Sequence, residues 1–299
     1  MAGNPSTVVL FGSGPEAYYV GHGRRHFIDG MSPSFTNHAT TALNISMSLW
    51  ISVSRDGETW IDYNAATEQF HHNSGLHQDI RDHLSGANGN FAAQFVSFPD
   101  TREHTYFVKG KDTGAWNAVL PNDFIQRLTE KQAAMPNFDA GVTGMLFGQG
   151  TTNIILFTTG FDAVFDESYI KEADHPLYKV LVEFGTEPWC IERGSQLCFY
   201  DSRYFFLKFS KPGEQTVHTR WNLPLVMAEK LAKLREEAQV PEERLLLMQQ
   251  DQAWMDVART RRMGQMQTAS MVNAMALRNS LNFALPRTVN VRVIESIHY

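Results

Sequence analysis

A strand–turn–strand phrase that recurs five times, steps of 41 to 50 residues between its copies, and turn residues that cut the chain into strand-length pieces together predict a mainly β fold. The prediction is a β-propeller of about five short blades, with helical insertions and a C-terminal helical extension. The clearest copies are Val8-Val9-Leu10-Phe11-Gly12-Ser13-Gly14, running into Ala17-Tyr18-Tyr19-Val20, and Met145-Leu146-Phe147-Gly148-Gln149-Gly150, running into Asn153-Ile154-Ile155-Leu156-Phe157. Looser copies start near Leu49, Phe95 and Cys190, so the steps counted from Val8 are 41, 46, 50 and 45 residues. Propeller blades have this period, whereas a sandwich shows turn signals every 8–12 residues with no longer repeat.

Each element has a local reason. Apolar stretches bounded by Gly, Pro, Asn and Asp predict strands over 48–53, 59–63, 105–108, 178–184, 197–200 and 204–209. Two insertions read as helices: 76–84, between glycines, and 122–134, with Asn122 as its cap after Pro121. From Pro224 the composition changes to Ala, Leu, Met, Glu, Gln and Arg, predicting helices over 224–237 and 241–277. Leu247, Trp254 and Ala258 share a face of the second, and Val289, Val291 and Val293 alternate with polar residues as in an edge strand. The expected organisation is a repeat domain over 7–223, a helical extension over 224–285 and a tail over 286–299.

Composition narrows the function. With 32 acidic and 26 basic residues the formal charge is −6, which argues against a general nucleic-acid binder. Cys190 and Cys198 flank a turn at Arg193-Gly194-Ser195; two cysteines are too few for a disulfide framework, and free, buried thiols on a hairpin are expected. No basic-then-apolar leader opens the chain and no run is long enough to span a bilayer. The expectation is a cytoplasmic protein without membrane partners, its sequon Asn44-Ile45-Ser46 unused.

The stretch Ser54-Arg55-Asp56-Gly57-Glu58-Thr59-Trp60 resembles the Asp-box hairpin, Ser-x-Asp-x-Gly-x-Thr-Trp, that recurs in sialidases and other propellers, although the residue between Asp and Gly is missing. The resemblance implies a turn carboxylate at Asp56 accepting backbone N–H groups, a positive φ at Gly57, and Trp60 packed between sheets. It implies no sialidase chemistry, because the arginine triad of those enzymes is not apparent.

Candidate chemistry is sparse. Gly12/Gly14 and Gly148/Gly150 precede strands rather than helices, so they are hairpin turns and not a nucleotide cradle. His71, His72, His77 and His83 cluster near Asp79 and Asp82, but without metal-ligand spacing, so no metal and no cofactor is expected. Arg24, Arg25 and His26 form a glycine-flanked basic tip suited to a carboxylate or sulfate. Trp50, Trp116, Trp189 and Trp221 lie near the repeat phrases, where core packing is expected; Trp116, beside Asp112 in a polar glycine-rich loop, is the ligand-platform candidate. Asp162 and Asp166 form a close carboxylate pair. Arg259, Arg261 and Arg262 make a basic spot on a solvated helix face, and the methionines from Met248 to Met275 suit adaptable packing.

No residue set names a reaction. The expected function is non-catalytic binding of a small ligand, glycan or protein on a propeller face, through Trp116, Asp112, Arg24, Arg25 and His26. The alternatives are a hydrolase, lyase or cyclase with its pocket at the channel mouth, and an adaptor that assembles through the C-terminal helix. Self-association through that helix or the tail strand is a further expectation.

Overall fold

The computed structural model describes residues 7–237 except 24, 44–47, 65–66, 88–89, 100–103, 112–113, 171–173 and 215. Arg24, Asp112, the sequon, the helix expected over 241–277 with its apolar face, basic spot and methionines, and the tail strand lie outside the described residues.

Each recurring phrase opens a small antiparallel sheet. The first is β1 (Thr7–Phe11), β2 (Tyr18–His22) and β3 (Arg25–Asp29), followed by helix α1 (Pro33–Thr41). The second is β4 (Ser48–Val53), β5 (Trp60–Asn64) and β6 (Gln69–His72), followed by α2 (Gln78–Ser85). The third is β7 (Ala93–Ser97), β8 (Tyr106–Gly110) and β9 (Trp116–Val119), followed by α3 (Asn122–Ala134) and α4 (Phe138–Gly141). The fourth is β10 (Val142–Phe147), β11 (Asn153–Phe157) and β12 (Gly160–Val164), followed by α5 (Pro176–Gly185). The last comprises β13 (Cys190–Ile191), β14 (Gln196–Leu197), β15 (Phe205–Ser210) and β16 (Val217–Asn222), before α6 (Leu225–Glu237). The fold is therefore mainly β, with a few helices between small sheets. Among the described residues no sheet closes on itself.

The opening strands lie beside one another. β1 touches β4 and β14, β4 touches β7, β7 touches β10, and β10 touches β14. Burial follows from that order: β1, β2, β8 and β11 are buried throughout, while β3, β6 and β9 are half-exposed. A strand buried on both faces must be apolar nearly continuously, which is why the phrases read as apolar runs rather than alternations. Three side chains tie neighbouring sheets: Ser52 Oγ donates to the Val96 carbonyl at 2.5 Å, Ser97 Oγ to Met145 at 2.6 Å, and Gln196 Nε2 to Ile51 at 2.8 Å.

The opening strands also share a defect. β4, β7 and β10 each carry one extra residue near their start, namely Leu49, Gln94 and Thr143. The last sheet enlarges it. Ile191 faces Phe209 and Gln196 faces Phe206, so five steps along one side answer three on β15. Arg193-Gly194-Ser195 is thus a bulge in one interrupted strand, not the hairpin turn expected from the sequence. Cys190 and Cys198 are both free and buried, as expected.

Other expectations fare unevenly. Helix α3 covers 122–134, yet the cap position is Pro121 and Asn122 is already helical, without a side-chain cap bond. Residues 178–184, expected as a strand, lie inside α5: Leu177, Leu181 and Phe184 are buried at helical spacing while Val182 is exposed, and Pro176 starts the helix. The valines suggested a strand; the buried face decided for a helix. Trp50 is core, with its indole N–H on the Gln94 carbonyl, whereas Trp221 on β16 is 40% exposed. Helix α6 lays Met227, Leu231 and Leu234 against Val9, Phe11 and Val20 of the first sheet. No helix among the described residues is long and apolar enough to cross a membrane.

Close packing of opening strands makes Gly144 intolerant of a side chain. A Cβ there would meet the Phe95 ring at 2.8 Å, and that ring is held edge-on by Trp50 with centroids 5.0 Å apart. Gly144→Ala should destabilise the protein by about 1–3 kcal/mol through overpacking, measured by urea unfolding. An unchanged midpoint would show that Phe95 yields freely.

Candidate functional site

The most organised polar cluster lies where the first two sheets meet. Asp62 on β5 is 1% exposed, and His71 on β6 is its direct cross-strand partner, so both side chains leave the same face. His38 arrives from α1, whose start is fixed by Pro33 in the first turn and by Ser32 Oγ accepting the Phe35 N–H at 3.4 Å. Asp62 Oδ2 stands 3.3 Å from His38 Nε2 and 3.3 Å from His71 Nδ1, and the three atoms lie within 4.8 Å of one another. His38 is buried, whereas the His71 side chain is 37% exposed and opens the cluster to solvent.

The Asp-box-like hairpin positions this cluster. Asp56 Oδ1 accepts the Glu58 N–H at 3.0 Å and the Ser54 hydroxyl at 2.5 Å, and Gly57 takes φ +76°. Trp60 emerges buried from that turn, donates its indole N–H to Ser34 Oγ at 2.9 Å, and stacks on His38 with centroids 4.5 Å apart. Trp60 and Asp62 are two residues apart on β5 and so share a face. Tyr19, fully buried on β2, completes the wall. Its phenol pKa is raised by burial and by the charge of Asp62. The Tyr19 hydroxyl and Asp62 Oδ1 are both buried without a hydrogen-bond partner among the described residues.

A second polar place is a recess of about 220 Å³ lined by Gly114, Gln132, Met135, Asn137, Phe138 and Asp139 among others. Asp139 Oδ1 accepts the Trp116 indole N–H at 2.7 Å and Gln132 Nε2 at 2.8 Å. Trp116 is half-buried, stacked on Phe107 and edge-on to Phe138, so it backs the recess rather than offering a free platform. Lys109 Nζ donates to the Asp139 carbonyl at 2.7 Å. Burial, with Arg193 nearby, lowers its pKa to about 8 despite Asp139.

The described part of the basic tip, Arg25 and His26, is engaged internally. Arg25 forms a 2.7 Å ion pair with Glu237 at the end of α6, and His26 stacks on Tyr19 with centroids 5.4 Å apart, its pKa lowered by burial. Asp162 is held by Arg127 at 2.8 Å and Lys131 at 2.9 Å, while Asp166 accepts the Thr151 and Ser168 N–H groups, so that carboxylate pair is structural.

Of the histidines grouped by sequence, only His71 joins the polar cluster. His77 is the cap of α2 and pairs with Asp79, His72 bonds the Asn73 carbonyl, and buried His83 lies between the Phe91 carbonyl and Asn117. His38 and Asp62 escaped the sequence because the three members of the cluster come from three separate elements, α1, β5 and β6. One signal was readable: Asp62 is a charge with the same strand parity as the core tryptophan Trp60.

No protein-family model matches the chain, and no curated protein is significantly similar to it.

Two buried lysines set an alkaline pH dependence. Burial lowers Lys208 to about 8, with Glu192 opposing, and Lys109 shares that value. Both release their protons more readily in the folded chain than in the unfolded one, which therefore binds more protons above pH 8. Stability should rise between about pH 8 and 9. Above that range Cys198, pushed up to about 12 by burial, opposes the rise. Thermal melts should show that Lys208→Met flattens the climb; an equal climb in the variant would remove Lys208 as its source.

Proposed function

We propose that the chain is a binding protein built on a five-bladed β-propeller, each small sheet forming one blade and the opening strands lining a central axis. The support is the neighbour order of β1, β4, β7, β10 and β14, which returns to β1, together with bulges at equivalent places in successive sheets. The axis is a poor place for a substrate. Arg193 reaches from the last sheet to Thr143 and Gln94 of two others, and the cavity among Ser52, Phe95, Ser97, Leu146, Gln196 and Phe199 is about 20 Å³, room for about one water.

The binding place we infer is the recess at Asp139, and this observation carries the reading. Carboxylate, two carboxamides and backbone stand beside the apolar Met135, Pro136 and Phe138, a mixture suited to one polar, hydroxylated small ligand such as a sugar unit. Its volume is below the 300–1,000 Å³ usual for drug-sized pockets, so the ligand is small or a single residue of a larger glycan. The recess supports the perimeter over the channel mouth, and binding over catalysis.

A panel of monosaccharides screened by saturation-transfer NMR tests this. Binding of at least one sugar, weakened about tenfold or more in Asp139→Asn and Gln132→Ala, is the expected result; one lost hydrogen bond to a charged group is worth about 1.5–3 kcal/mol. Saturation transfer from no sugar, or equal transfer in both variants, would refute the recess as the site.

A further inference from the structure

We propose that His38 Nε2, Asp62 Oδ2 and His71 Nδ1 bind a divalent transition-metal ion, Zn²⁺ in the first instance, at the meeting of the first and second sheets. The site is separate from the Asp139 recess and stands on side chains alone, whichever way the sheets are read.

Four observations carry it. The donor set, two imidazoles and a carboxylate, is one that zinc and its first-row neighbours take. Ligands about 2.0–2.1 Å from zinc in a tetrahedron stand about 3.3 Å apart; both His–Asp separations are 3.3 Å, and the two imidazole nitrogens lie within 4.8 Å of each other. An N–H···O bond with free side chains settles nearer about 2.9 Å. Thirdly, Asp62 is a carboxylate 1% exposed whose ion-pair partners among the described residues are the two histidines, with no Arg or Lys, and burying such a charge is costly without a compensating cation. Lastly, Asp62 Oδ1 and the Tyr19 hydroxyl, both buried, have no hydrogen-bond partner among the described residues, and such orphans call for an ion or water.

The supports of the ligands are equally specific. Trp60 fixes the plane of His38 by stacking, and the β5–β6 ladder fixes Asp62 opposite His71. Three protein ligands leave a tetrahedral ion one further position. The exposed side of His71 is where water or a small anion reaches it, the arrangement of open rather than closed zinc sites.

The test uses the full-length protein stripped with chelator and titrated with Zn²⁺ calorimetrically and with Co²⁺ by visible spectroscopy. The wild type should bind one equivalent and give the intense absorption of tetrahedral cobalt. His71→Ala, at a half-exposed position on an outer strand, should fold, bind zinc at least about tenfold more weakly and lose the cobalt band. His72→Ala, whose ring bonds only the neighbouring Asn73 carbonyl, should match the wild type. Asp62→Asn is the second variant, also expected to lose the band; circular dichroism verifies its fold. Failure of the wild type to bind one equivalent, or undiminished binding by folded His71→Ala, would overturn the proposal. Sugar binding at the recess should be unchanged in His71→Ala, which separates the two readings.

Discussion

The arrangement of the sheets depends on where Arg193 goes. Its Nε donates to the Thr143 carbonyl at 3.1 Å and its NH2 to Gln94 Oε1 at 3.0 Å, while a Cβ on the neighbouring Gly194 would stand 3.1 Å from the Leu49 carbonyl oxygen. Thr143, Gln94 and Leu49 are the three extra residues in the bulges of β10, β7 and β4. One enlarged bulge in the last sheet therefore rests on the single bulges of three others. Arginine suits the task because its planar fork serves two acceptors at once, and Gly194 suits it because φ +84° brings the backbone in without a side chain. Bonds from a charged donor are worth about 1.5–3 kcal/mol each, more than any one hydroxyl bond between neighbouring sheets.

The same local economy builds the His–Asp–His cluster. A turn carboxylate at Asp56 and a left-handed glycine set the entry into β5; that entry directs Trp60 inward; Trp60 holds His38, and the strand alternation puts Asp62 beside it. A hairpin motif with no chemistry of its own thus becomes the scaffold of a buried polar cluster. Buried to 1% exposure, Asp62 is expensive, and the two histidines at 3.3 Å are weak compensation as hydrogen-bond donors.

Much of the architecture was legible in the sequence because it is carried by short-range signals. Each apolar phrase marks the first strand of a sheet, and Gly12 and Gly148 sit in hairpin turns whose N–H groups bond the Ala17 and Thr152 carbonyls. Helix α3 and the start of α6 were readable from composition and prolines. The bulge at Arg193 was not, because a turn inside a strand and a turn between strands share the same residues; only pairing of both halves with β15 separates them. Residues 178–184 misled because β-branched valines sit on a helix whose buried face is set by tertiary packing. The cluster was hidden for a different reason. Its members are distant in sequence and meet only through sheet order, whereas the adjacent histidines His71 and His72 point to opposite faces of one strand.

The most direct test of the central claim, that the Arg193 loop ties separate sheets into one unit, is amide hydrogen exchange in Arg193→Ala. Loss of the fork should lower protection in β4, β7 and β10 together with β13 and β14, because all are held through the same contacts. Loss of protection confined to β13–β15, with the other opening strands as protected as in the wild type, would contradict the account.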